Sequence, residues 1–294
     1  MKAVMSGIIP ESELVLNSDG SVYHLQLKEK HVADNIILVG DIGRVAQVSQ
    51  YFDKIEFKNQ NREFLVHTGN YKGLRISVIS TGIGTDNIDI VMNELDAAIN
   101  IDLEKRQLKP ERRSLNIVRI GTSGGLQNDI PLGSFVVSEY GLGFDGLIYY
   151  YDYPEAKNEE ELADKINEHL HWSSNLSRPY LAKGSYLVDK IGFDMIKGIT
   201  ASATGFYGPQ GRSLFLKLRD NSINERLQSF SNSGLRIINF EMETSALYGL
   251  GNLLGHHCCT CNVLIANRAK NEFIEDYKPF VDRLIKTVLE RLVS

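Results

Sequence analysis

The sequence has few cysteines, no excess of basic charge and no long apolar run, and each shortage excludes a class of protein. Its three cysteines, Cys258, Cys259 and Cys261, are odd in number and too closely spaced for a secreted disulfide framework. No apolar segment approaches the roughly 20 residues that a membrane span needs, and the N-terminus lacks the apolar core of a secretory signal. We therefore expect a cytoplasmic protein with no membrane partner.

The charge balance and the missing nucleotide motifs narrow the function further. The formal net charge is -5 over 294 residues, so no basic field would attract a polynucleotide, and we expect no nucleic-acid partner. GxxxxGK[ST] is absent, and no GxGxxG follows the first predicted strand. P-loop NTPases and dinucleotide enzymes are therefore unsupported.

Short β-branched segments alternate with stretches of helical periodicity, which predicts an α/β fold around one central sheet. The predicted strands are residues 36–39, 74–80, 116–120, 134–138, 236–240 and 260–266. The final segment predicts an amphipathic helix whose apolar face carries Ile274, Tyr277, Val281, Leu284, Ile285, Val288 and Leu292. Because no repeat or linker divides the chain, we predict a single domain over residues 1–294, with 1–20 as an N-terminal extension.

Two polar segments have no predicted function. Residues 103–114 are basic and contain a proline, which is typical of a solvated surface connection, and the segment around Glu160 predicts an exposed helix.

Three glycine-rich segments each follow a predicted strand: VGDIGR at 39–44, STGIG at 80–84 and RIGTSGG at 119–125. Taken singly, each is also typical of a tight turn, but glycine there lets backbone N–H groups approach an anion. Arg44, Arg119 and the hydroxyl of Thr122 add two planar guanidinium forks and a donor. Together these features favour a site for a small oxyanion such as phosphate.

Two other clusters have simpler interpretations. HHCCTC at 256–261 resembles a metal motif, but side chains along one strand alternate between faces and no second ligand pair follows, so we predict a structural strand and no metal. Glu241 and Glu243 could serve only to favour a helix dipole.

The motifs VYHLQL, GDIGR, NREF, STGIG, RIGTSGG, FYGPQGR, NFEMETSAL and ANR occur in one order over residues 22–268. In this order and spacing the chain resembles the nucleoside phosphorylase family, which handles uridine and, in hexameric bacterial enzymes, purine nucleosides. FYGPQGR resembles the pyrimidine signature of uridine phosphorylases. The resemblance implies a three-layer α/β/α domain around a central mixed β-sheet.

The resemblance also implies roles for individual residues. Phosphate would be held by Gly40, Arg44, Arg119 and Thr122, with Arg62 from a neighbouring subunit. Ribose would be held by Met242 and Glu243, with His24 from the neighbour at the 5′ hydroxyl. The base would be held by Gly124, Phe206, Gln210, Arg212 and Arg268. Some bacterial members hold a monovalent cation near the positions of Glu63 and Ile83, which we do not assign here.

The implied reaction is phosphorolysis of uridine to uracil and ribose 1-phosphate in pyrimidine nucleoside salvage, with Arg119, Glu243 and Arg212 as the catalytic residues. Inorganic phosphate is the co-substrate, and no cofactor is expected. The implied assembly is a homo-oligomer with shared active sites, with dimer and hexamer both open. The alternatives are another nucleoside phosphorylase, a nucleosidase, or a non-catalytic nucleoside-binding protein. A purine enzyme is disfavoured, because the ANR motif lacks the carboxylate of the purine branch.

Overall fold

A computed structural model describes residues 7–294. Residues 1–6 of the predicted N-terminal extension lie outside the described residues. The rest of that segment packs on the domain, since Leu14 is buried and Leu16 pairs with Val22 in an antiparallel bridge. Within residues 7–294, no helix has the length and apolar character needed to cross a membrane.

Fourteen strands are present in residues 7–294, and all six predicted strands coincide with or overlap one of them. They are β1 (Asn35–Val39), β2 (Lys54–Asn61), β3 (Phe64–Tyr71), β4 (Leu74–Ser80), β5 (Ile101–Asp102), β6 (Gln107–Leu108), β7 (Asn116–Gly125), β8 (Phe135–Gly143), β9 (Tyr180–Lys183), β10 (Ile196–Ser202), β11 (Ser231–Asn232), β12 (Leu235–Glu241), β13 (His257–Asn267) and β14 (Glu272–Phe273).

Seven α-helices of the described chain separate these strands. They are α1 (Ile42–Ser49), α2 (Thr85–Asn100), α3 (Lys157–Leu170), α4 (Leu187–Gly192), α5 (Ile223–Ser229), α6 (Thr244–Leu254) and α7 (Lys278–Val293).

The central sheet is mixed and partly closed on itself. Its strand order is β11-β12-β10-β8-β13-β7-β1-β4-β3-β2, and β12 also pairs with β7 through Asn239 with Gly125 and Phe240 with Gly124. Strands β7, β13, β8, β10 and β12 therefore form a closed ring, while β1, β4, β3 and β2 extend from it as an open sheet. The closure brings the carboxyl ends of β7 and β12 together.

Helices cover both faces of the sheet. In β1, Ile36 and Leu38 pack in a core with α2 and α6, whereas Ile37 and Val39 pack in a core with α1, α4 and α7. Successive side chains of a strand point to opposite faces, so a strand that is apolar throughout needs cover on both sides. The predicted three-layer α/β/α architecture is confirmed.

Three local predictions need correction. RIGTSGG is not a loop, because β7 continues through Gly125. The C-terminal helix begins at Lys278, so Ile274 and Tyr277 precede it. The helix around Glu160 is only half exposed, because Leu162 and Ile166 are buried in a core with β8 and β10. By contrast, residues 103–114 form the expected surface connection, in which Arg113 pairs with Asp34.

Candidate active site

A cleft of about 700 Å³ opens where the strands β1, β7 and β12 end. Strand ends of this kind are the usual ligand sites of open α/β sheets. Ten residues predicted for the site border this cleft: Gly40, Arg44, Arg119, Thr122, Gly124, Phe206, Gln210, Arg212, Met242 and Glu243.

Two buried arginines form one end of the cleft. Arg44 lies in the first turn of α1, is 7% exposed, and donates from Nη1 to the carbonyl oxygen of Ile120 at 3.2 Å. Within residues 7–294, no carboxylate lies within 4.0 Å of its guanidinium nitrogens. Burial and the nearby Arg119 both lower the pKa of Arg44. A bound anion would relieve both effects, so this end of the cleft suits phosphate.

Arg119 lies in β7 and reaches Glu243 through a gap left by a glycine. Its Nη2 contacts Glu243 Oε2, and its Nη1 lies 3.4 Å from Glu241 Oε2. A Cβ at Gly121 would stand 2.3 Å from Arg119 Nη1 and 2.2 Å from Asn262 Oδ1. Glycine at 121 therefore makes room for the guanidinium.

Glu243 is a buried carboxylate beside the arginine pair. The N–H of Gly84, which precedes α2 with φ +102°, donates to Glu243 Oε1 at 2.8 Å. Burial raises the pKa of Glu243 to about 7, while the positive charge of Arg119 opposes that rise. The side chain is thus a buried hydrogen-bond acceptor beside Arg119 at the edge of the cleft.

Glu241 has a different task from Glu243. Its carboxylate accepts from the N–H groups of Glu243 and Thr244 at 3.0 Å and from the hydroxyl of Ser202 at 2.6 Å. It satisfies free donors at the start of α6, so the helix-dipole interpretation holds for Glu241. Both carboxylates border the cleft, but Glu243 pairs with Arg119 and does not cap the helix.

The other end of the cleft carries an amide held by two arginines. Gln210 Oε1 accepts from Arg212 Nη1 at 2.7 Å and from Arg268 Nη2 at 3.4 Å. The Arg212 guanidinium carbon lies 3.7 Å from the centre of the Phe206 ring. Burial and the charge of Arg212 lower the pKa of Arg268 to about 10. Arg268 thus supports Gln210 from behind and does not border the cleft.

Arg62 and His24 do not border the cleft of their own chain. Arg62 is exposed at the turn between β2 and β3, with φ +52°. His24 Nδ1 lies 2.6 Å from Glu94 Oε1, and the His24 and Leu25 N–H groups donate to the same carboxylate.

No metal centre is evident in the part of the chain that the structure describes. Residues 7–294 contain no group of three His, Cys, Asp or Glu side chains placed to hold a metal ion. Glu63 Oε1 accepts from Asn87 Nδ2 at 3.2 Å. The segment HHCCTC leads into β13, where Cys258 packs in one core and Cys259 and Cys261 pack in the other.

Several residues of the cleft were not predicted from the sequence. Phe273 and Tyr277 border it from the segment between β13 and α7, and Tyr277 is near enough to Arg44 to affect its pKa. Asp41 also borders the cleft and accepts from the Gly43 N–H at 2.9 Å. No sequence signal marked Phe273, and the helical spacing had placed Tyr277 in the core.

Comparisons with known proteins identify the family. The model of the phosphorylase superfamily matches residues 34–294, and the chain belongs to this superfamily. It is similar to a uridine phosphorylase of Thermococcus kodakarensis, with 31% identity over 263 residues, covering 87% of this chain and 80% of the relative.

Two further likenesses bear on fold and substrate. A solved nucleoside phosphorylase of Trypanosoma brucei, described as showing uridine phosphorylase activity, has a TM-score of 0.86 and 31% identity, and the match covers 95% of this chain and 99% of that one. A DeoD-type purine nucleoside phosphorylase of Listeria welshimeri is 32% identical over 117 residues, which is 40% of this chain and 45% of the relative. The nucleoside phosphorylase fold expected from the motifs is confirmed.

Proposed function

We propose that this protein cleaves uridine with inorganic phosphate, releasing uracil and ribose 1-phosphate. The observation that carries the proposal is one cleft with buried arginines at one end and, at the other, an amide held by two more arginines. Buried cationic forks suit a phosphate, and the edge of Gln210 and Arg212 suits the carbonyl and N3–H groups of uracil. The similarity to a uridine phosphorylase over 87% of this chain supports this assignment.

In this proposal each end of the cleft performs one part of the reaction. Arg44, Arg119, Gly40 and Thr122 hold phosphate below the sugar, while Glu243 accepts from the ribose hydroxyls and Met242 packs beside them. A phosphate oxygen bonds to C1′, the C1′–N1 bond breaks, and its electron pair passes to uracil.

Arg212 stabilises the negative charge that spreads onto the uracil carbonyl oxygens, so no proton transfer is required. Positioning and fixed charges thus lower the barrier.

A purine substrate is less well matched, because a departing purine needs a proton at N7. The purine branch carries an Asp after the strand equivalent to β13, whereas the ANR motif has Asn267 there. Asn267 is buried, and its amide cannot supply a proton. Its Nδ2 donates to the Gln127 carbonyl oxygen and its Oδ1 accepts from the Ala269 N–H, both at 3.0 Å. This arrangement favours uridine over a purine nucleoside.

We infer that the active unit is a homo-oligomer with shared sites, in which Arg62 and His24 complete a neighbour's cleft. Two observations support this: neither residue borders its own cleft, and Arg62 lies exposed at a hairpin turn. We also place the enzyme in the cytoplasm, since its three cysteines are free thiols. The proposed reaction assigns it to pyrimidine nucleoside salvage.

The test is uracil release from uridine, measured with and without phosphate, alongside inosine, adenosine and cytidine. We expect release only with phosphate and only from uridine. Equal release without phosphate would indicate a nucleosidase, and efficient cleavage of inosine would indicate a purine enzyme. Binding of uridine without any turnover would indicate a non-catalytic nucleoside-binding protein.

A further inference from the structure

A second cavity lies beside the catalytic cleft, behind the segment 206–212. Its volume is about 1000 Å³, and Arg212 borders both spaces. Much of its wall comes from the connection between β10 and α5, residues 203–222, and from the residues that follow α3. Connections of this length inside a compact domain are commonly functional.

The floor of the cavity is aromatic, and its rings are held by stacking and by a hydrogen bond. The rings of Phe144 and Trp172 stack with their centroids 4.4 Å apart and their planes 18° apart. Trp172 Nε1 donates to the Ser177 carbonyl oxygen at 2.9 Å, which fixes the indole. Leu176, 53% exposed, adds apolar surface beside it. Such a surface favours a flat ring, which can stack or pack edge-on.

The rim of the cavity is basic, although the chain as a whole carries a net charge of -5. Four basic side chains border it against one carboxylate, Asp220, which pairs with Arg226. Lys217 and Arg219 are exposed, and no carboxylate within residues 7–294 lies within 4.0 Å of either. The rim is therefore complementary to a negatively charged group.

We propose that this cavity binds a flat aromatic organic anion, with its ring against Trp172 and Leu176 and its acidic group at Lys217 and Arg219. The proposal does not rest on the uridine reaction, since binding is measured without turnover. A second copy of the chain is the competing occupant, because Phe215, at the mouth of the cavity, is 95% exposed.

The chain offers a built-in reporter, because Trp172 is its one tryptophan. Titration with 8-anilinonaphthalene-1-sulfonate should quench Trp172 and saturate at one probe per chain. N-phenyl-1-naphthylamine has the same rings without the sulfonate, and we expect it to bind at least about tenfold more weakly. The double variant Lys217→Glu, Arg219→Glu should weaken sulfonate binding about tenfold and leave the neutral probe unchanged.

Leu176→Glu should weaken the binding of both probes, whereas Phe193→Glu, which changes another exposed apolar residue, should affect neither. A circular dichroism spectrum and a melting temperature like those of the wild type would show that these variants fold. Equal affinity for the two probes, or unchanged binding in the double variant, would overturn the proposal. So would complete displacement of the probe by uridine, which would place it in the catalytic cleft.

Light scattering decides between the anion and a second copy of the chain. If Phe215→Ser leaves the mass of the assembly unchanged and the wild type binds the sulfonate saturably, the anion site is supported. A smaller assembly on Phe215→Ser, with no sulfonate binding by the wild type, would assign the surface to a second copy and reject the proposal.

Discussion

Replacing Arg119 should weaken the fold as well as the reaction, because its guanidinium is the ionic partner of a buried carboxylate. Glu243 is 4% exposed and, within residues 7–294, its side chain would keep the Gly84 N–H as its one remaining hydrogen-bond donor. Breaking a buried pair from one side costs about 3–5 kcal/mol. We expect Arg119→Met, which keeps an unbranched side chain, to lower the free energy of unfolding by about this much at pH 8.

The size of this loss should depend on pH in a defined direction. Burial raises the pKa of Glu243 to about 7, and Arg119 opposes the rise, so its removal moves that pKa higher still. Above the ordinary carboxyl pKa of about 4.3, the folded state then binds the proton more tightly than the unfolded state, and stability falls as pH rises to the folded pKa. In the variant this fall extends to higher pH, so its deficit relative to wild type should be larger at pH 8 than at pH 6.

The assay is urea unfolding at pH 6, 7 and 8 for wild type, Arg119→Met, Glu243→Gln and the double variant. The double variant should be more stable than Arg119→Met at pH 8, because it also removes the buried Glu243 charge that Arg119→Met leaves without its ionic partner. Arg119→Met should also lose about 10²–10³ in kcat/KM, the usual effect of removing one charge-stabilising donor. This account of the pair would be refuted if Arg119→Met were as stable as the wild type at pH 8, or if its loss of unfolding free energy did not change with pH.

Three further predictions concern other parts of the site. Arg212→Leu should lower kcat/KM for uridine by up to about 10⁴ while leaving the KM for phosphate nearly unchanged, because the phosphate end uses other residues; similar changes in both would contradict the division of the cleft. Mixing inactive Arg62→Ala subunits with inactive Arg119→Ala subunits should restore activity, since a mixed pair holds one intact site. No recovery in demonstrated mixed oligomers would make each subunit self-sufficient. Glu241→Gln should lower the melting temperature, through a loss of about 1 kcal/mol at the start of α6, and raise the KM for uridine more than Glu104→Gln, the same change at an exposed position; an unchanged KM would show that the cap does not affect the site.

The sheet could be predicted from local patterns, but its closure could not. Apolar β-branched segments, a pattern that needs only neighbouring residues, predict β1, β4, β7, β8, β12 and β13, whereas β2, β3 and β10 were not predicted. The pairing of Asn239 with Gly125 joins residues more than a hundred positions apart. Glycines at 124 and 125 look like a loop because they lack β-propensity, yet ladder pairing with β13 holds them as strand.

The gathering of Gly40, Arg44, Arg119 and Thr122 at one cleft was also predictable, because strand-end glycines and arginines are local signals. The contact of Arg119 with Glu243 was not, since 124 residues separate them. The same limit applies to Phe273, which reaches the cleft only because β14 pairs back onto β13. Local sequence patterns therefore predict which donors line the cleft, whereas the partner of each donor is determined by the folded sheet.

Gly121 shows how a motif can mark the right place for a different physical reason. Glycine between Arg119 and Thr122 predicts a turn with backbone N–H groups free for an anion. In the structure the backbone there is a regular strand without positive φ, so no turn requires glycine. What requires it is the guanidinium, which folds across the position where a Cβ would stand and so reaches Glu243. The glycine thus serves the buried charge pair between Arg119 and Glu243 at this end of the cleft.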